Sequence, residues 1–448
     1  MKNARTAAYT ALLQVDVNAG YSNIVIDKAI KEADLDQRDA SLAAAIFYGV
    51  LERRITLDYI INQFSRIPAK QMTPDILEIL RMACYQILYM EKIPHSAAVN
   101  EAVNMAKQTK GGKSPGFVNG VLRGLLRGKE QIKMPNEKKE SLHALSIMYS
   151  CPQWLIQLWQ ESYGKEHMLG LLKSFFDKPP LYARVNTTKI TTEQLIERLE
   201  KENVCAKAIS WLPGAIELEQ TGSVAHLQAY EEGLFHIQDI SSQLCCSVLA
   251  PKSGQTIADL CAAPGGKTFT MAEQMENQGK LLSFDKYKGK VGLIRQGAKR
   301  LGLSVVEASI RDSSNPKEKL LFADGVLCDA PCAGLGIIRR KPEIRYKPQE
   351  ELKDLPLVQR SILKEAAKQV KPGGTLVYST CTIHEEENMG NVHWFLEQNK
   401  EFELVPIAQL LCEELKNDVV EQGCIQLLPG IHDSDGFFIA KFRKVKCE

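Results

Sequence analysis

Two cysteines stand where covalent chemistry is possible. Cys332 closes the segment Cys328-Asp329-Ala330-Pro331-Cys332, and Cys381 closes Tyr378-Ser379-Thr380-Cys381. Each follows a run that reads as a β-strand. In an alternating strand–helix sheet, ligands sit outside the carboxyl ends of the strands, so both thiols are predicted to lie beside one crevice. Methylation at C5 of a cytosine gives such a pair a reason. That carbon is too weakly nucleophilic to take a methyl group directly, but a thiolate adding to C6 makes it enamine-like. The adduct must then lose the C5 proton and expel the thiol. One thiolate serves as the nucleophile, and Cys332 is the candidate for helping the product leave. Asp329 is placed to act as the acid near ring N3. Within helical RNA the base must be exposed or flipped. The other ten cysteines mostly fall in apolar strands or helices and read as packed, inert thiols, Cys328 among them.

A second constellation precedes the cysteines. Asp259-Leu260-Cys261-Ala262-Ala263-Pro264-Gly265-Gly266-Lys267-Thr268 follows a predicted strand and opens a predicted helix. Small residues and two glycines allow a tight turn and close approach of a ligand to the backbone. The pattern matches neither of the pyrophosphate- and triphosphate-binding glycine motifs. The next strand ends in Asp285, about twenty residues on, where a carboxylate can accept from ribose hydroxyls. A nucleoside cofactor without pyrophosphate fits, and S-adenosyl-L-methionine is the main candidate. The alternative is a structural glycine turn in a ligand-free sheet.

The elements that must position these residues follow from periodicity. Residues 1 to about 130 read as a helical bundle. One stripe is Ile76, Leu77, Leu80, Ala83, Cys84 and Ile87, begun by Pro74. Residues 151–236 read as a small α+β module. From 237 onward strands and helices alternate, which argues for an open α/β sheet. A chain of 448 residues accommodates about three domains, and the boundaries are expected near 140 and 236. The net charge of +2 excludes a strongly basic global field, though not a local patch for a polyanion. Between Val103 and Lys133 stand Lys107, Lys110, Lys113, Arg123, Arg127, Lys129 and Lys133 against Glu130 alone. This is either a solvated face or a phosphate-binding patch. The N-terminus MKNARTAAYT lacks an apolar leader core, and no run of 18 apolar residues occurs. With no cysteine pattern at zinc spacing, the expectation is free thiols in the cytoplasm, no metal and no membrane.

The segments DLCAAPGGKT, LCDAPCAGLGIIRRKPEIRY, KPGGTLVYSTCTIHEEEN and DGFFIAKF resemble the RNA cytosine-5 methyltransferases, and the resemblance covers essentially the whole chain. It implies an all-α domain similar to the antitermination factor NusB over 1–140. A small α+β domain over 141–236 and a Rossmann-like, S-adenosyl-L-methionine-dependent catalytic domain over 237–448 follow. By the same resemblance Cys381 is the nucleophile, Cys332 serves product release, and Asp329 contacts the cytosine edge. Cys261, Ala262, Ala263, Pro264, Gly265, Gly266 and Lys267 form the cofactor loop, with Asp285 the ribose-binding acid. Arg339, Arg340, Arg345 and Lys347 match a basic segment suited to an RNA backbone, and Gln238-Asp239 and Asn186 recur as domain-joining or substrate-positioning groups. Two departures stand out. Where the family carries an acid for the adenine end of the cofactor, this chain has Ser309, with Asp312 three residues on. Where it often carries arginine after the ribose-binding acid, this chain has Lys290. The implied substrate is 16S ribosomal RNA, unassembled or partly assembled, with cytosine 967 the expected target of a monomeric enzyme. The alternatives are another rRNA or tRNA cytosine, a DNA or small-molecule methyltransferase, and a non-enzymatic RNA-binding protein.

Overall fold

The computed structural model describes residues 3–18, 22–109, 114–136, 141–416 and 418–445. They divide into two compact units, 1–177 with 338–347, and 178–337 with 348–448. The first unit is helical. Its helix Gln37–Glu52 begins where the Asp36 carboxylate accepts from the Asp39 amide, and it buries Ala43, Ile46, Phe47 and Val50 on one face. Helix Pro74–Tyr89 starts with proline in its first turn and buries Ile76, Ile79, Leu80, Ala83, Cys84 and Ile87.

Helices Leu142–Tyr149 and Gln153–Ser174 also group with this unit. The reason is local: the Thr56 hydroxyl donates to the Ile147 carbonyl at 2.5 Å, and the Ile55 amide donates to Ser150 Oγ at 2.9 Å. Trp159 is fully buried there against Phe175, a packing residue as its apolar neighbours suggest. Gly164, at φ +75°, breaks the second helix after Tyr163, and helical turns resume beyond it.

The second unit holds two sheets. Strands β1 (Leu181–Val185), β2 (Cys205–Ala208), β3 (Ala215–Glu219) and β4 (Phe235–Ile237) pair antiparallel in the order β2-β3-β1-β4. Helix Thr192–Lys201, opened by a reciprocal Thr191–Gln194 cap, buries Leu195 and Leu199 in the core of that layer.

The larger sheet contains β5 (Thr256–Asp259), β6 (Lys280–Asp285), β7 (Val306–Ile310), β8 (Ala323–Asp329), β9 (Val370–Thr380), β10 (Phe402–Leu404), β11 (Val419–Glu421), β12 (Cys424–Leu427) and β13 (Phe437–Lys444). Its order is β11-β12-β13-β9-β8-β5-β6-β7, with β10 on β13. Strands β5 to β9 run parallel, while β10 to β13 are antiparallel. The open α/β sheet read from the sequence is thus present, with an antiparallel edge added by the C-terminal strands. Because β5, β6, β8 and β9 are parallel neighbours, Asp259, Asp285, Asp329 and Cys381 all emerge at one end of the sheet.

Candidate functional site

A cleft of about 190 Å³ opens at that end. Cys261, Ala262, Ala263, Pro264, Gly266, Lys267 and Asp329 line it, together with Ile237, Gln238, Asp239, Ser242 and Asp259. The loop after β5 is shaped by Gly265 at φ +119°, where a Cβ would fall 2.3 Å from the Phe269 ring. The Ala262 amide donates to the Phe284 carbonyl at 2.7 Å, joining the loop to the end of β6.

Lys267 reaches the Asp329 carboxylate at 2.8 Å, and the Ser379 hydroxyl donates to the other Asp329 oxygen at 2.8 Å. The carboxylate charge raises the Lys267 ammonium against the opposing effect of burial, so this lysine is a fixed cation. Gln238 is more than nine-tenths buried, and its Nε2 has no protein partner, while the Thr270 hydroxyl donates to its Oε1 at 2.5 Å.

Asp259 is a cleft residue that sequence reasoning quoted within the motif but did not assign. Its Oδ2 accepts from the Thr268 hydroxyl at 2.7 Å. Burial, helped by the Asp329 charge, pushes its carboxyl up to about 7, against the Thr268 hydrogen bond and Lys267. A carboxyl near 4 in the unfolded chain and near 7 when folded contributes stability below pH ~4 that is lost as the pH climbs through ~7. Asp259→Asn is neutral throughout and is expected to flatten that loss by roughly 2–4 kcal/mol. Urea unfolding of both proteins at pH 4.5 and 8 reads the difference, and parallel pH profiles would refute the buried-acid assignment.

Asp285, Lys290, Ser309 and Asp312 do not line the cleft itself. Asp285 Oδ1 accepts the Tyr287 amide at 3.0 Å, and Lys290 stands 3.9 Å from Oδ2. Ser309 is an exposed residue of β7. Asp312 is held below the usual carboxylate range by Ser314, which donates through its hydroxyl at 2.6 Å, and by Lys286 at 2.9 Å.

Cys332 and Cys381 also lie outside the cleft lining but are brought together, with sulfurs 3.4 Å apart. Both are partly exposed. The hydrogen bond to Cys381, then burial, then the charges of Glu387 and Asp329 push the Cys332 thiol well above its ordinary value. The Gly336 amide donates to the Cys381 carbonyl at 3.0 Å. Gly336 also packs directly on Gly436, where a Cβ would meet the Gly436 carbonyl at 2.0 Å. Of the remaining cysteines, Cys84, Cys151, Cys245, Cys246, Cys328 and Cys424 are buried, in keeping with inert packing. Cys205 is exposed, and Cys447 lies outside the described residues.

The basic segment after Cys332 requires a correction. Arg345 is fully buried in the helical unit and is not available to an RNA backbone. Its guanidinium donates to the carbonyls of Glu52, Tyr149 and Ser150 at 3.3–3.5 Å and lies 4.5 Å over the Phe175 ring. In the earlier basic stretch Lys110 and Lys113 lie outside the described residues. Asn186 joins layers within the second unit, its amide donating to the Gly233 and Leu301 carbonyls at 2.9 and 2.8 Å. No described helix is long and apolar enough to cross a membrane.

A family model described as 16S rRNA methyltransferase RsmB/F matches residues 246–443. The NusB family matches 2–127, and a ferredoxin-like domain of RsmF/B-like methyltransferases matches 151–225. The probable ribosomal RNA small subunit methyltransferase B of Bacillus subtilis (strain 168) is 37% identical over 447 residues, 99% of each chain. Ribosomal RNA small subunit methyltransferase B of Escherichia coli O1:K1 / APEC is 32% identical over 447 residues, again 99% of each. Among solved structures, PH0851 superposes with a TM-score of 0.83 at 28% identity, covering 99% of this chain and 98% of that one. NSun6 from Pyrococcus horikoshii with SFG gives a TM-score of 0.58 at 26% identity, covering 66% of this chain and 99% of that one.

Proposed function

The chain belongs to the RsmB/F family of 16S rRNA methyltransferases, and from that premise we propose that it methylates C5 of one cytosine, cytosine 967 being the expected position, through a bond between Cys381 and C6. It is an S-adenosyl-L-methionine-dependent enzyme whose substrate is 16S rRNA. The single observation that carries the cysteine chemistry is the 3.4 Å approach of the two sulfurs at the strand ends.

The cleft fits the methyl donor. It offers a glycine-shaped loop, a fixed ammonium at Lys267 and the buried Gln238 Nε2, which has no protein partner. When bound, S-adenosyl-L-methionine supplies an electrophilic methyl group. Cys261 to Lys267 would hold it, with Asp285 toward the ribose and Lys290 beside that acid. At the adenine end we assign Asp312 rather than Ser309, because Lys286, next to Asp285, holds Asp312 at that edge.

The chain's own residues then act on the base. The Cys381 thiolate bonds to C6, the C5–C6 π pair moves to C5, and N3, at the edge that Asp329 contacts, takes a proton from solvent that it returns when the ring double bond re-forms. After C5 has taken its methyl group, the C5 proton passes to solvent, the S–C6 bond breaks and the ring double bond returns. Cys332, held as a thiol, donates to the departing sulfur. Lys107, Arg123, Arg127, Lys129 and Lys133 suit phosphate contacts that position the RNA. The protein acts as a cytoplasmic monomer on RNA that is not fully assembled.

Two measurements test this reading. Bisulfite mapping of rRNA from cells without the gene should show loss of one 5-methylcytosine in 16S rRNA, restored on complementation; an intact pattern would exclude the assignment. Asp285→Ala is expected to weaken S-adenosyl-L-methionine binding by about tenfold or more, through loss of charge-assisted hydrogen bonds. Calorimetric titration of the RNA-free protein checks this, and unchanged affinity removes Asp285 from the cofactor site.

A further inference from the structure

We propose that Glu387 is a positioning residue that locks the loop carrying Cys332 against the loop carrying Cys381 and keeps the attacking role on Cys381. The inference rests on the two-cysteine chemistry above and adds the group that organises it.

Glu387 ends the run Glu385-Glu386-Glu387, whose first two members are exposed while Glu387 is completely buried. Its carboxylate holds both sides of the cysteine pair. Oε2 accepts from the Ala333 amide at 3.0 Å and from Gln359 Nε2 at 2.6 Å. Gln359 Nε2 also donates to the Pro331 carbonyl at 2.9 Å. The peptide groups on either side of Cys332 are therefore pinned by one carboxylate–amide pair. The other oxygen, Oε1, faces His384 Nδ1 at 3.1 Å, three residues after Cys381.

The joint is braced from behind. Asn391 Nδ2 donates to Gln359 Oε1 at 2.7 Å, and the Tyr378 hydroxyl donates to the Glu387 carbonyl at 2.7 Å. A carbonyl can only accept, so the Gln359 amide has one orientation that satisfies both ends. A buried carboxylate that loses such donors, or donors that lose it, are left unsatisfied, which makes the arrangement rigid.

The same carboxylate carries charge. Cys381, Glu387 and Asp329 face Cys332, and Tyr378 lies within electrostatic reach. The negative charge of Glu387 favours a protonated Cys332, so that of two sulfurs in contact the proton stays on Cys332.

The test uses the full chain. Iodoacetamide alkylation of Cys332 and Cys381 is followed by mass spectrometry from pH 6 to 10, with kcat and KM measured on a 16S rRNA transcript. Glu387→Gln preserves the shape and removes the charge. Its Cys332 is expected to be alkylated at pH 8 about tenfold faster than in wild type. The kcat should drop several-fold with KM for RNA unchanged, and covalent RNA complex should accumulate. Gln359→Met keeps the charge and frees the Pro331 carbonyl, so kcat should fall while Cys332 alkylation stays as slow as in wild type. A folded Glu387→Gln protein with the wild-type alkylation profile overturns the proposal. So does a folded Gln359→Met protein with wild-type kcat, which decides the matter if the first variant does not fold. Alkylation is read without RNA, so failure of wild type to bond cytosine through Cys381 would overturn the two-cysteine reading and show itself separately.

Discussion

Cys381→Ala is expected to reduce methyl transfer by ~10⁴-fold or more, the scale on which removal of a covalent nucleophile acts. Without addition at C6, C5 stays too poor a nucleophile, and neither the cleft nor the charges around it can replace the missing bond. The loss should appear in the single-turnover rate, because it strikes the chemical step itself. Binding should persist, since the cofactor cleft is lined by Lys267, Asp329 and the glycine loop and does not include Cys381. The fold should persist too: Cys381 is partly exposed, and the backbone bond from Gly336 reaches its carbonyl rather than its sulfur. A single-turnover assay with radiolabelled methyl donor, beside a binding titration, separates these effects. Residual activity within tenfold of wild type would remove Cys381 from the mechanism.

Cys332→Ala has a different expected phenotype, of comparable size on turnover. Addition and methyl transfer need only Cys381, so the first turnover proceeds. Breaking the S–C6 bond then occurs without the thiol 3.4 Å away that would donate to the departing sulfur. RNA is expected to remain joined to the protein on a denaturing gel, with steady-state turnover lower by ~10²-fold or more. The double variant lacking both sulfurs should retain no RNA, because the trapped species is a Cys381 adduct. If Cys332→Ala turned over freely and retained no RNA, Cys332 would have no role in release.

Much of this site is written at strand ends. Asp259, Asp285, Asp329 and Cys381 each follow an apolar run, and a parallel sheet gathers such positions at one edge, so local pattern plus one topological rule is enough. Gln238 was harder to assign. It reaches the cleft because β4 pairs with β1, Ile237 opposite Ala183, and no local period encodes that long-range pairing. Arg345 shows the opposite failure: its sequence neighbours read as an RNA-contact segment, but the carbonyls of Glu52, at the end of helix Gln37–Glu52, and of Tyr149 and Ser150 capture its guanidinium. Glu387 ends an acidic run, and its buried carboxylate is distinguished from its two neighbours by long-range partners, the Ala333 amide and Gln359. For helix Leu142–Tyr149 a side-chain bond from Thr56 reaches across 91 residues, and no local period encodes it.

The most direct measurement uses a 16S rRNA fragment carrying 5-fluorocytosine at the target position, incubated with wild-type protein and S-adenosyl-L-methionine. Fluorine at C5 cannot leave as a proton does, so the adduct should persist after methyl transfer. Protease digestion and mass spectrometry of the denatured complex are expected to place the methylated nucleotide on the peptide containing Cys381. A nucleotide attached to Cys332, or methylation with no covalent complex, would contradict the assignment of Cys381 as the attacking group.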